Sequence, residues 1–195
     1  MKKRSLFVLI SIVGVALLAA GCGGGASKDF NAQDVSFAQE MIPHHRQAVE
    51  MADLAATRAS DPKVKALAPQ IKAAQDPEIQ TMTGWLTSWG EPATPSAGGG
   101  GMAGHSMGGS SGSTGGMGMM TGAEMTSLEG SSGAAFDRQF LTMMTGHHNG
   151  AIDMAKTQLE KGKFEPAKQL ATSIRDSQQK ELAEMKSILA ALPTA

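Results

Sequence analysis

One stretch of sequence occurs twice, and it leaves few folds open to the chain. Phe37, Met41, His44, His45, Ala48, Met51 and Ala52 recur as Phe140, Met144, His147, His148, Ala151, Met154 and Ala155 at a constant offset of 103 residues. Val49/Ile152 and Glu50/Asp153 are conservative pairs at the same offset. From Asp34 through Phe37, Met41, His44 and Ala48 to Met51 the steps are threes and fours, the period of one helix face. Leu67, Ala68, Ile71, Gln75, Glu78 and Met82 likewise return as Leu170, Ala171, Ile174, Gln178, Glu181 and Met185, so the duplicated unit is a pair of helices. Two helical hairpins make an all-α four-helix bundle, which builds metal sites from side chains on facing helices.

Helix signals set the boundaries. The first helix is predicted over residues 31–58 and the second from Asp61-Pro62, an N-cap followed by a first-turn proline, to residue 89. Pro69 and Pro77 interrupt its pattern. The second hairpin, residues 133–195, repeats this with a helix over 133–161, a turn marked by Gly162 and Pro166, and a final helix. Residues 30–90 and 133–195 are read as one domain. Between them residues 91–132 turn to Gly, Ser and Met with almost no charge, the composition of a flexible linker that buries no core. A linker this long permits either an up-and-down or a crossover bundle.

The N-terminus is read apart from the fold. Lys2, Lys3 and Arg4 precede an apolar run over residues 6–20, the form of a secretory signal peptide. The run ends in Ala19-Ala20-Gly21-Cys22, which resembles a bacterial lipobox with Ala19 where Leu is usual. Residues 1–21 are then the signal, Cys22 the lipidation site, and residues 22–29 a tether; the alternative is an ordinary secretory signal that leaves a free thiol. Since Cys22 is the single cysteine, a soft-metal site in the folded part must use Met and His, as suits an oxidising exterior. Loss of three N-terminal cations takes the formal charge from −1 to −4, which argues against a nucleic-acid partner. The membrane is expected as a partner only through the lipid.

The pattern of Asp34, Phe37, Met41, His44-His45, Ala48 and Met51-Ala52, followed by Gln75, Glu78 and Met82, resembles the bacterial domain of unknown function 305 family across both hairpins. The resemblance implies a ferritin-like helical bundle, often exported, with characterised relatives that bind copper in the cell envelope. It implies no reaction.

Hairpin geometry gathers the candidate ligands independently. Residues equidistant from a turn face each other, so His44 lies opposite Gln75 and Glu78, and His147 opposite Gln178 and Glu181. Met41 and Met144 reach the levels of Met82 and Met185. The expected metal ligands are His44, His45, His147, His148, Met41, Met51, Met82, Met144, Met154 and Met185. Gln75, Glu78, Gln178 and Glu181, with Asp34 and Asp137, are second-tier ligands or supports, the two aspartates being equally suited to N-terminal caps. Buried polar groups need partners; the alternative is a satisfied His/Gln/Glu network with Met as filler. His45 and His148 fall on a flanking stripe and are predicted to face the neighbouring hairpin, where the halves could share a site. A helix breaker, Pro43 or Gly146, precedes each His pair, read either as a bend that aims the imidazoles or as the helix start. In the linker, Met102, His105 and Met107 form an auxiliary candidate site, followed by Met117, Met119, Met120 and Met125.

Thioethers select Cu(I), and the imidazoles extend the range to Cu(II). The leading expectation is a lipid-anchored, extracytoplasmic copper-binding protein that sequesters, buffers or delivers the metal to an unknown acceptor and is no enzyme. A di-iron or di-manganese oxidase wants Glu-x-x-His pairs, whereas Met41 and Met144 stand three residues before His44 and His147. A b-type haem bundle with Met/His axial ligands is a further alternative.

Overall fold

Local capping chemistry starts the helices where the sequence signals place them. Asn31 and Asp34 form a reciprocal capping box, the Asn31 side chain accepting from the Asp34 amide at 3.1 Å and the Asp34 carboxylate from the Asn31 amide at 2.7 Å. Helix α1 follows over Ala32–Arg58. The Asp61 carboxylate accepts from the amides of Lys63 and Val64 and opens α2, Pro62–Trp89, which ends at Gly90 in the left-handed region. The computed structural model describes residues 29–94 and 116–193. Its remaining helices are α3 (Gly122–Gly130), α4 (Gly133–Lys161) and α5 (Glu165–Ala191), and a 3-10 turn spans Gly116–Gly118. None of the described helices is long and apolar enough to cross a membrane.

Pro43, Pro69 and Pro77 lie inside helices that run on through them. All three are exposed, so each carbonyl left without its amide partner is on the wet side, where water replaces the bond. Since α1 begins at Ala32, the reading in which the helix starts at Pro43 is corrected.

α1 packs on α2 and α4 on α5, and the main contact between hairpins is α1 against α4. These two run antiparallel, because each helix start is tied to the other hairpin's turn. The Asp34 carboxylate accepts from the amides of Lys163 and Phe164 and from Gln158 Nε2 at 2.6 Å. The Asp137 carboxylate accepts from the amides of Ser60 and Asp61 and from the Ser60 hydroxyl. Trp89 stacks on Phe30 at 4.5 Å, and Trp85 and Trp89 meet Phe164 edge-on, closing the end where α1 begins and α2 stops. α4 therefore begins at the end opposite to where α2 stops. Of the two topologies the sequence allows, the bundle takes the crossover.

The crossing segment departs from its sequence reading. Residues 116–132, expected as flexible linker, hold the 3-10 turn and α3, which has its own capping box between Thr121 and Glu124. Met120 and Leu128 are buried in the core. That core is in two parts. One contains Ala48, Met51, Leu67, Ile71, Phe136, Phe140, Met144 and Met185; the other contains Phe37, Met41, Ile42, Met82, Leu86, Met154 and Ile174.

Candidate metal centre

Among the described residues four histidines are buried, His44 at 1% exposure and His45, His147 and His148 at 0%. None belongs to either apolar cluster, and on α1 and α4 each His pair falls between residues of the two clusters. The histidines thus form a polar layer between them. The helical rise puts His44 and His45 between Met41 below and Met51 above, and His147 and His148 between Met144 and Met154.

The pairing across the layer differs from the expectation. His44 and His147 meet each other across the hairpins, ring centroids 3.6 Å apart. His45 and His148 turn instead to the second helix of their own hairpin. His45 Nε2–H donates to Glu78 at 2.7 Å and His148 Nε2–H to Glu181 at 2.5 Å. His44 Nε2–H donates to the Met117 carbonyl at 3.1 Å. The expectation that His45 and His148 face the neighbouring hairpin is thus corrected, and it is the first His of each pair that faces its counterpart.

Among the described residues, the layer concentrates unsatisfied atoms. Nδ1 of His44, His45 and His148, both ring nitrogens of His147, both amide atoms of Gln75 and Oε1 of Gln178 are buried without a partner. Gln75 and Gln178 lie one turn before Glu78 and Glu181 on the same helix faces. An unpaired buried polar atom costs about 1–3 kcal/mol, so a cluster of them is not ordinary core. A carboxylate that takes one ring N–H fixes the tautomer and leaves the other nitrogen to carry the lone pair, the arrangement seen around metal-binding histidines. Glu78 and Glu181 do this for His45 and His148, and the Met117 carbonyl does it for His44. Burial first, and then the neighbouring His45, bring the His44 imidazole down to about 3, against the opposing pull of its bond to Met117. Burial and the neighbouring His44 hold His147 well below the usual histidine range. Both rings are neutral at neutral pH, the state that ligates metals.

The thioethers are grouped across hairpins. Met41, Met82 and Met154 lie in one cluster and Met51, Met144 and Met185 in the other. Each flanking group thus mixes both hairpins, where the sequence reading assembled a set from each. Among the described residues no group of three or more His, Cys, Asp or Glu side chains is placed to hold a metal ion. A cation in this layer would depend on thioether sulfur together with imidazole.

Asp34 and Asp137 are not part of it. Both precede their His pair by ten residues, about 15 Å along the helix, and both are committed to the turns described above, so their assignment as ligands or supports of the site is corrected. Glu50 and Asp153 are exposed, Asp153 pairing with Lys156. Met102, His105 and Met107, and Cys22, lie outside the described residues. Sequence reasoning missed the Met117 carbonyl and Gln47, whose side chain makes two bonds to the Met120 backbone. The available signal was the divergence of the repeats at Pro43/Gly146 and Gln47/Gly150.

Comparison with known proteins agrees with this architecture. The model of the family described as domain of unknown function (DUF305) matches residues 34–189. A DUF305 protein from Streptomyces coelicolor, inferred to be secreted, has a crystal structure similar to this chain with a TM-score of 0.70. It is 32% identical, over 84% of this chain and 93% of that one. CopM in its Cu(II)-bound form is 30% identical with a TM-score of 0.64, over 80% and 95% of the two chains. In its Cu(I)-bound form CopM is 28% identical with a TM-score of 0.60, over 79% and 93%. Protein L153 of Acanthamoeba polyphaga mimivirus is 49% identical over 53 residues, and the match spans about a third of that relative, 35%, and 27% of this chain.

Proposed function

This chain belongs to the domain of unknown function 305 family, and on that premise we propose that it is an extracytoplasmic protein that binds copper and sequesters, buffers or delivers it. The observation that carries the reading is the buried His44/His147 pair, with a methionine-bearing cluster on either side and bordered by imidazoles whose Nδ1 atoms lack partners among the described residues. Neutral imidazole with thioether is a donor set suited to Cu(I), with Cu(II) accessible through the histidines. The copper-bound forms of CopM support the same cargo. Binding rather than catalysis fits the donor set, because the carboxylates that reach this layer among the described residues, Glu78 and Glu181, are engaged with His45 and His148. A di-iron oxidase needs more carboxylates than this layer supplies. Export by the N-terminal signal and attachment through a lipid on Cys22 complete the proposal, and loss of fatty-acid label in Cys22→Ser tests the anchor.

Anaerobic titration of the purified protein with Cu(I) against a competing chelator, then with Fe(II) and haem, tests the function. Saturable copper binding tighter than micromolar is expected, and it should disappear when His44, His45, His147 and His148 are all replaced by Ala. Binding that survives the fourfold replacement, or preference for Fe(II) or haem, would overturn it.

A further inference from the structure

The hairpins are duplicated, but the segment that joins them is single and breaks their symmetry at the metal layer. Residues 116–120 lie across α4 where it carries Gly146 and Gly150. A Cβ on Gly150 would stand 1.7 Å from the Met117 carbonyl oxygen, and one on Gly118 would stand 2.6 Å from the Gly146 carbonyl oxygen. Backbone thus rests directly on backbone, which only glycine permits. The equivalent positions on α1 are Pro43 and Gln47. Gln47 holds the far end of the segment, accepting from the Met120 amide at 2.7 Å and donating to its carbonyl at 2.8 Å. The repeats diverge where one strap needs a flat seat on one hairpin and a clasp on the other.

We propose that residues 116–120 are a gate over the His44/His147 pair, hinged at the Gln47-clasped Met120 and latched by the His44 bond to the Met117 carbonyl. The two ends of the strap are held unequally. Met120 is buried and doubly bonded, and it leads into the capped helix α3. Met117 is 49% exposed and joined to α1 through the His44 bond. Met117 and Gly118 have φ of 59° and 78°, and the left-handed region is one that a residue with a side chain enters only at a cost. Outside the strap a cavity of about 830 Å³ opens between α1 and α4, with Phe37, Glu40, Met117, Gly118, Gly146 and Gly150 in its wall. Met117 and Gly118 therefore stand between this open space and the His44 ring. Lifting them gives a cation a short way in, and the exposed Met117 thioether is the first soft donor it meets. Among the described residues His147, the repeat-equivalent of His44, makes no corresponding bond to the strap, so the latch acts on one ring of the pair.

The gate rests on the reading of this layer as a copper site, and its test separates the two. In the metal-free full-length protein, the rates at which diethyl pyrocarbonate modifies each histidine are followed by peptide mass spectrometry, for wild type, Gly150→Ala and the milder Gln47→Ala. Removing one seat or clasp should raise the His44 and His147 rates about threefold or more, as loss of a hydrogen bond's worth of closure does. His45 and His148, held by Glu78 and Glu181, should change less. The Cu(I) association rate should rise in parallel. Unchanged His44 and His147 rates in both variants, with helicity intact, would overturn the gate, as would faster modification with unchanged Cu(I) association. Wild-type protein that binds no Cu(I) removes the copper reading, while the modification rates still judge the strap.

Discussion

Acid should weaken this fold through its central histidines, by an amount that follows from their burial. His44 titrates near 6.5 when unfolded and at about 3 in the folded protein. Its folded value is depressed, so its contribution is fully present above 6.5 and is lost as pH falls towards 3, where only the unfolded chain takes up the proton. The whole shift corresponds to about 5 kcal/mol, and at pH of about 5 roughly 2 kcal/mol has been lost. His147 adds in the same direction. For a domain of this size, 2 kcal/mol lowers Tm by about 4–8 °C. Urea unfolding of the metal-free protein at pH of about 7.5 and 5 measures the loss, with the double variant His44→Gln, His147→Gln as reference. The wild type should lose at least about 2 kcal/mol more than the double variant over this interval. Equal losses in the two proteins, within about 0.5 kcal/mol, would refute the argument that these buried rings are held neutral at a cost in acid.

Asp137→Ala leaves the amides of Ser60 and Asp61 and the Ser60 hydroxyl without their acceptor, and should destabilise the protein by about 3 kcal/mol in urea; a loss below about 1 kcal/mol would deny the aspartate its part in tying the hairpins together. Glu78→Ala or Glu181→Ala frees the ring it orients, so chelator competition should show Cu(I) affinity about 10- to 100-fold weaker. Affinity unchanged in both would mean that His45 and His148 are outside the site. Met41→Leu with Met144→Leu preserves volume and should cost less than about 1.5 kcal/mol per site, yet should weaken Cu(I) binding if the thioethers ligate. Normal binding in that double variant would reduce these methionines to packing.

The strap gives the duplication an unequal outcome. His45 and His148 keep equivalent carboxylate partners, Glu78 and Glu181. His44 gains the Met117 carbonyl, whereas His147 makes no corresponding bond among the described residues. One linker cannot serve two symmetric positions, so the pair at the centre has one latched and one unlatched ring.

Helix limits, the duplication and the His/Met content were legible in the sequence because they rest on local physics. Asn31, Asp61-Pro62 and Gly90 mark helix ends through bonds within a few residues of chain. The three-four spacing declares which faces are buried without reference to a partner. How the hairpins meet is another matter. The crossover depends on Asp34 and Asp137 reaching turns far away in sequence, and periodicity carries no trace of those bonds. Neighbouring residues on a helix are separated by about 100°, so a modest rotation of a hairpin decides whether His44 or His45 faces the other half. Packing of α1 on α4 sets that rotation: it brings His44 to His147, leaves His45 and His148 to Glu78 and Glu181, and sorts the six methionines into two mixed groups. The chain's own pattern determines that a Met/His layer exists; the contact between its two halves determines which nitrogens are left free within it.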